Sequence, residues 1–155
     1  GDASVKIINA LLANPQKIDS ARSKTSFVLI RSSDKDLHTV EHSPPTVLFD
    51  LEQSPRYDAL HQRAAGLNHI LARACAKNGV SVGFSLYSLL EAKPERRAVL
   101  IGRMTQNISL CRKYKVPMMI ASFAKTPGGM RNPADLLALF TVLGMHPSEA
   151  KKSLG

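Results

Sequence analysis

Apolar residues fall along this chain in short, near-continuous runs, separated by stretches in which they recur every three or four positions. The runs are Val5–Ile8, Ser26–Arg31, Thr46–Leu51, Val80–Leu86 and Val116–Ser122. Unbroken apolarity, rather than alternation, is what parallel strands need when helices cover both faces of their sheet. The first run passes into Asn9–Pro15, which reads as a loop or a helical turn. Ser32-Ser33-Asp34 closes the second, and Pro44-Pro45 leads into the third.

Helical periodicity lies between the later runs. Leu67, Leu71, Ala74 and Cys75 stand at i, i+4, i+7 and i+8, and the helix they predict stops at Asn78-Gly79, a C-cap signal. Glu95–Lys115 is the longest predicted helix. Ile101, Met104, Ile108 and Cys111 form its core-facing stripe, while Arg96, Arg103 and Lys113 point away from it. Asn132 as N-cap, Pro133 at the first helical position and Asp135 in the first turn open another helix, which Gly144 ends. Pro147 starts a last short one over Ser148–Leu154.

Strand–helix alternation over five strands predicts a parallel α/β architecture in one domain, residues 1–155. An open doubly wound sheet and a (β/α) barrel both satisfy the pattern. In either, binding loops gather at the C-terminal ends of the strands. Those ends are Ser32-Ser33, Asp50–Glu52, Ser85–Ser88 and Ser122–Arg131.

Charge changes this picture more than composition does. The 155 residues carry a net charge of +9, and the excess is not spread evenly. Residues 1–50 hold 6 basic and 6 acidic side chains, whereas residues 79–155 hold 11 basic and 4 acidic. A basic C-terminal half points to a polyanionic partner, of which nucleic acid is the commonest. The absence of Trp and the few aromatic residues argue against a stacking platform for single strands. Cys75 and Cys111 show no CxxC spacing and read as buried free thiols in a reducing compartment. No run is long enough to span a membrane, so no membrane partner is expected.

The candidate chemistry centres on Met118–Pro133 (MMIASFAKTPGGMRNP). Ser122 at a strand end, Lys125, the Gly128-Gly129 backbone and Arg131 precede a helix start at Asn132, and together they resemble a cradle for phosphate. The loop matches no GxxxxGK[ST] pattern, and a solvated loop with a helix cap gives the same residues. Arg97, in the first turn of the long helix, falls within the azimuth of the apolar stripe and is expected to lean over the rim toward the binding loops. A snorkelling arginine that covers apolar surface fits equally. His69 opens a helix near the rim, as a phosphate donor or as a surface histidine. His38 and His42 share a helix face without a carboxylate to complete a site. No HxH, HExxH, Cys/His or GxSxG spacing occurs, so neither a metal centre, a cofactor nor a catalytic residue is assigned.

Three longer segments then carry a resemblance. GLNHILARACAKNGVSVGFSLYSLL (66–90), ERRAVLIGRMTQNISLCRKYKVPMMIASFA (95–124) and MRNPADLLALFTVLGMHPSEAKKSL (130–154) closely resemble the protein component 3 family of archaeal and eukaryotic ribonuclease P. The resemblance covers residues 46–154, with a weaker echo in the first 45. It implies a TIM-barrel-like (β/α) fold, often incomplete, akin to metal-dependent phosphoesterases of the PHP type but without their metal ligands. In this chain it further implies a barrel lacking the family's first strand and helix.

In the family, the RNA subunit removes the 5′ leader of precursor tRNA, and component 3 works with protein component 2 to activate that RNA. The resemblance therefore implies a subunit that is non-catalytic alone. Its partners would be ribonuclease P RNA, component 2 and the other protein subunits, with precursor tRNA contacted indirectly. It would sit in the cytoplasm of an archaeon or the nucleus of a eukaryote. Ser122, Arg131 and Asp135 match the family's strand-end and R-x-P-x-D motif, and Arg97 its helix-start arginine. The residues assigned to RNA are Arg97, Lys125, Gly128, Gly129, Arg131, Ser122, His69 and Arg103, with Asn132 and Asp135 as structural supports. A PHP-type phosphoesterase is the alternative, disfavoured by the missing metal-ligand motif.

Overall fold

A computed structural model describes residues 10–13, 15–22, 26–121 and 133–154. Its five strands are β1 (Ala10–Ala13), β2 (Phe27–Arg31), β3 (Val47–Phe49), β4 (Ser81–Ser85) and β5 (Met118–Ala121). They pair in the order in which they occur along the chain, and every pairing is parallel. That order decides between the two architectures the sequence allowed. A doubly wound sheet reverses direction at a switch point; here each new strand is added on the same side, as in a barrel. The fold is TIM-barrel-like α/β, and its described sheet is not closed.

Helices α1 (Ile18–Arg22), α2 (Asp36–His42), α3 (His69–Asn78), α4 (Leu86–Glu91), α5 (Pro94–Tyr114), α6 (Pro133–Val142) and α7 (Pro147–Ser153) fill the connections. β2 to β5 fall within the apolar runs. β1 does not: Val5–Ile8 lies outside the described residues, and the segment read as a loop or turn is the strand Ala10–Ala13, paired with Phe27–Ile30. Tertiary pairing overrides the weak strand preference of alanine there. Among the described residues, no helix is long and apolar enough to cross a membrane.

The helix ends follow local chemistry. The Asn68 side chain accepts a hydrogen bond from the Leu71 amide at 2.9 Å to start α3, and Gly79, at φ 67°, ends it with its N–H on the Cys75 carbonyl. Pro94 and Pro147 begin α5 and α7. Arg112 near the end of α5 donates to Glu149 at 2.7 Å, and Glu149 also accepts from the His146 amide, so one carboxylate ties α7 to α5.

The core gathers Val82 and Phe84 of β4, Ile120 of β5, Leu100, Met104 and Ile108 of α5 and Phe140 of α6. The Phe84 and Phe140 rings are tilted with centroids 5.9 Å apart. The stripe on α5 is rotated from expectation. Leu100, Arg103, Met104, Asn107, Ile108 and Cys111 are buried, whereas Ile101 is 37% exposed. The apolar face is centred one residue earlier and is wide enough to take in two polar positions.

Gly66 joins the long β3–α3 connection to the core at φ 82°, and a Cβ there would stand 2.2 Å from the Leu51 carbonyl oxygen. Both the left-handed backbone and the contact with main chain exclude a side chain. Gly66→Ala is expected to cost about 2–4 kcal/mol of folding stability, measured by urea unfolding. A loss below about 0.5 kcal/mol would mean that this joint tolerates rearrangement.

Candidate nucleic-acid interface

The C-terminal ends of β2 and β3 open onto a cleft of about 730 Å³, whose lining includes Arg31, Ser32, Asp36, Asp50, Arg56, Tyr57, Arg63 and Asn68. Its buried acids, Asp36 and Asp50, are satisfied from within. Asp50, in the left-handed conformation at φ 60°, accepts from Arg31 Nε at 3.1 Å and from Ser88 Oγ at 2.8 Å, linking β2, β3 and α4. Asp36 accepts from Ser32 Oγ at 2.5 Å and from the Ser33 amide at 2.7 Å. Burial nevertheless pushes the Asp36 carboxyl up, the two hydrogen bonds opposing it only in part. Ser85 caps α4 by accepting from the Ser88 amide. Arg31 also lies over the Phe49 ring, 5.4 Å from its centroid.

One wall of the cleft is the loop 54–66, and α5 holds it in place. Arg103 Nε donates to Asp58 Oδ1 at 2.9 Å, Nη1 to the Glu52 and Ser54 carbonyls at 2.9 and 2.8 Å, and Nη2 to the Arg56 carbonyl at 2.6 Å. One turn on, Asn107 donates to the Ala65 carbonyl at 2.8 Å. Gln106 donates to the Arg63 carbonyl and accepts from the Arg63 amide. Gly102 leaves room for the Arg63 guanidinium beside the helix.

Asp58 feels opposing influences: desolvation raises its carboxyl, but the Ala64 amide, Arg103 and Arg63 together hold it below the ordinary carboxylate range. Glu52 is fully buried, and neither carboxylate oxygen has a hydrogen-bond partner. Burial, with a smaller contribution from the Asp50 charge, pushes its carboxyl up to about 8, so it is a neutral acid at pH 7.

Of the residues assigned to this interface, the structure describes His69, Arg97, Arg103 and Asp135. Ser122, Lys125, Gly128, Gly129, Arg131 and Asn132 lie outside the described residues. Asp135 is exposed in the first turn of α6. His69 is exposed as the first residue of α3, with Asn68 as its cap. Arg97 donates to the Leu89, Leu90 and Ala92 carbonyls, closing the C-terminal end of α4.

Arg103 is a correction. It was expected to point outward, yet it is 2% exposed with its donors committed to the loop. A guanidinium needing several acceptors found them in a loop that sequence periodicity does not describe. Asn107, four residues later on the same helical face, was the available signal. His38 and His42 stack within α2, their ring centroids 4.1 Å apart. Among the described residues, no three His, Cys, Asp or Glu side chains stand together in a group that holds a metal ion. Cys75 and Cys111 are buried free thiols, and burial pushes Cys75 up to about 12 and Cys111 higher still.

Comparison with known proteins places this arrangement. The family described as RNase P subunit p30 matches residues 54–155, the segment that runs from the clamped loop through α5 to α7. The chain belongs to the RNase P subunit p30 family. It is similar to Ribonuclease P protein component 3 of Methanosarcina acetivorans, 31% identical over 145 residues, which are 91% of this chain and 58% of that protein. The component 3 of Thermococcus kodakarensis is 42% identical over 89 residues, 57% of this chain and 40% of that one. The chain therefore spans little more than half the length of the curated relatives it matches over most of its sequence. A chain from a cryo-EM structure of archaeal ribonuclease P with mature tRNA superposes with a TM-score of 0.78, covering 94% of this chain and 62% of that one. At 24% identity, that likeness speaks for the fold alone.

Two measurements test the clamp. Arg103→Met strands three carbonyls and the Asp58 carboxylate, and is expected to cost about 3 kcal/mol, to raise the Asp58 pKa and to speed amide exchange across residues 54–66. Unchanged exchange there would show that the loop is held by other contacts. Glu52 sets a pH dependence. From its ordinary value near 4.5 up to about 8, the unfolded chain ionises while the folded protein keeps the proton, so stability falls as pH rises through that window. Urea unfolding at pH 5.5 and pH 8 is expected to show this fall, and Glu52→Gln to flatten it. The same fall in Glu52→Gln would assign it to another group.

Proposed function

We propose that this chain is a protein subunit of ribonuclease P, the ribonucleoprotein that removes the 5′ leader from precursor tRNA. In this reading the RNA performs the cleavage. The chain binds the RNA together with protein component 2 and helps it reach its active form. The observation that carries the reading is the family match over residues 54–155. Two features of the molecule support it. The basic excess lies in residues 79–155, as expected of a protein that displaces counterions from RNA phosphates. Asp36, Asp50 and Asp58 at the strand-end cleft are engaged internally, which lowers their repulsion of a polyanion. A PHP-type phosphoesterase would need a cluster of metal ligands, and no sequence motif supplies one.

Lys125, Arg131, the Gly128-Gly129 backbone, Ser122 and His69 are the RNA contacts in this reading, with Asn132 and Asp135 as structural supports. The subunit works as one barrel-like unit, in the cytoplasm of an archaeon or the nucleus of a eukaryote, and meets precursor tRNA through the RNA.

Arg131→Ala is expected to weaken binding to ribonuclease P RNA and to reduce the slope of log K against log salt by about one, measured by filter binding across a salt series. An unchanged slope removes Arg131 from the interface. The whole reading is tested by incubating the purified chain with precursor tRNA and Mg²⁺, with and without the RNA subunit and component 2. Leader removal is expected only when the RNA is present, and removal by the chain alone defeats the proposal.

A further inference from the structure

The loop 54–66 carries two almost fully exposed apolar side chains on its outer side. Tyr57 is 96% exposed, and Leu60, at the tip of the turn closed by Ala59 and Gln62, is 92% exposed. Beside the same cleft, Leu37 of α2 and Ile70 of α3 also present their side chains to solvent. On a loosely held loop such exposure would carry little meaning. Here the backbone is pinned by Arg103 at three carbonyls, by Asn107 at Ala65, by Gln106 on both sides of Arg63, and by Asp58 at the Ala64 amide. Rigid display of apolar groups in water contributes nothing to folding, but it removes the ordering cost that binding would otherwise carry.

Charge narrows the partner. Asp36 and Asp50 are buried beneath the rim, and Asp58 is held by Arg103 and Arg63. Arg31 and Arg63 stay 61% and 49% exposed, and Arg56 is exposed as well; Asp34 is the exposed acid among them. The outward surface is thus apolar anchors set among arginines. Tyrosine and arginine are enriched at the centres of protein interfaces. RNA suits this surface less well, because Leu37, Leu60 and Ile70 offer neither a stacking face nor a charge for phosphate.

We propose that this cleft and its loop dock another protein of the ribonucleoprotein. The docked segment carries aliphatic or aromatic side chains for Tyr57, Leu60, Ile70 and Leu37, flanked by Asp or Glu for Arg31, Arg56 and Arg63. The inference rests on the subunit reading above, and it assigns protein to the 54–66 loop while RNA stays with Lys125 and Arg131.

The test places p-benzoylphenylalanine at Tyr57 in a ribonuclease P reconstituted from its RNA and separately purified protein subunits. Irradiation is expected to crosslink this chain to one protein subunit. The double variant Tyr57→Ala/Leu60→Ala is expected to weaken association with that subunit about tenfold or more, with an unchanged unfolding midpoint because both side chains stand in solvent. A crosslink to RNA, or none to any protein in an assembled particle, overturns the docking proposal and leaves the subunit reading standing. Failure of the chain to enter the particle overturns both.

Discussion

A single buried guanidinium joins the strand end, the long connection and the longest helix. Arg103 arrives on a rigid helix and meets the backbone of residues 52–56 and the Asp58 carboxylate. A charge taken out of water is costly unless acceptors replace the lost hydration. Three carbonyls and a carboxylate do so here, and the fork geometry of arginine reaches all four at once where an ammonium would not. Asp58 keeps partial contact with solvent, so the pair is not fully desolvated. The connection between β3 and α3, too long to be a tight turn, is thereby made into a fixed wall of the cleft.

Much of the frame is legible in the sequence, for identifiable reasons. β2 to β5 sit in dense apolar runs, and the ends of α3 and α5 carry Asn, Gly and Pro at positions where backbone geometry asks for them. β1 was hidden because Ala-Leu-Leu-Ala between asparagines resembles a turn until its partner strand is known. α4 is too short to establish a period, and its start depends on a serine whose capping role appears only in the fold. The burial of Arg103 is not legible, because an arginine at the border of an apolar stripe reads as an outward one and its acceptors lie about 50 residues away in sequence. Glu52 likewise shows no sign of its neutral state in the sequence; that follows from its complete burial in the fold. The loop before α6, where most of the assigned RNA contacts fall, lies outside the described residues.

The chain belongs to the RNase P subunit p30 family. Its ionisable groups are used to brace the scaffold: Asp50 between strands and helix, Glu149 between α5 and α7, Arg97 at the end of α4. None of these arrangements sets two titratable groups at opposed protonation around an open space, as acid–base chemistry needs. They leave exposed arginines over a stable surface, which suits assembly.

The sequential strand order has a consequence for how the chain is made. Among the described residues, each strand after β1 pairs with the one synthesised just before it, so the sheet can grow from its N-terminal side as the polypeptide leaves the ribosome. The clamp cannot, because the guanidinium that closes it emerges some 50 residues after the segment it grips. The cleft wall is therefore a late product of biogenesis. A nascent chain stalled before α5 would carry the strands β1 to β4 and Tyr57, but not yet a surface for any partner to recognise.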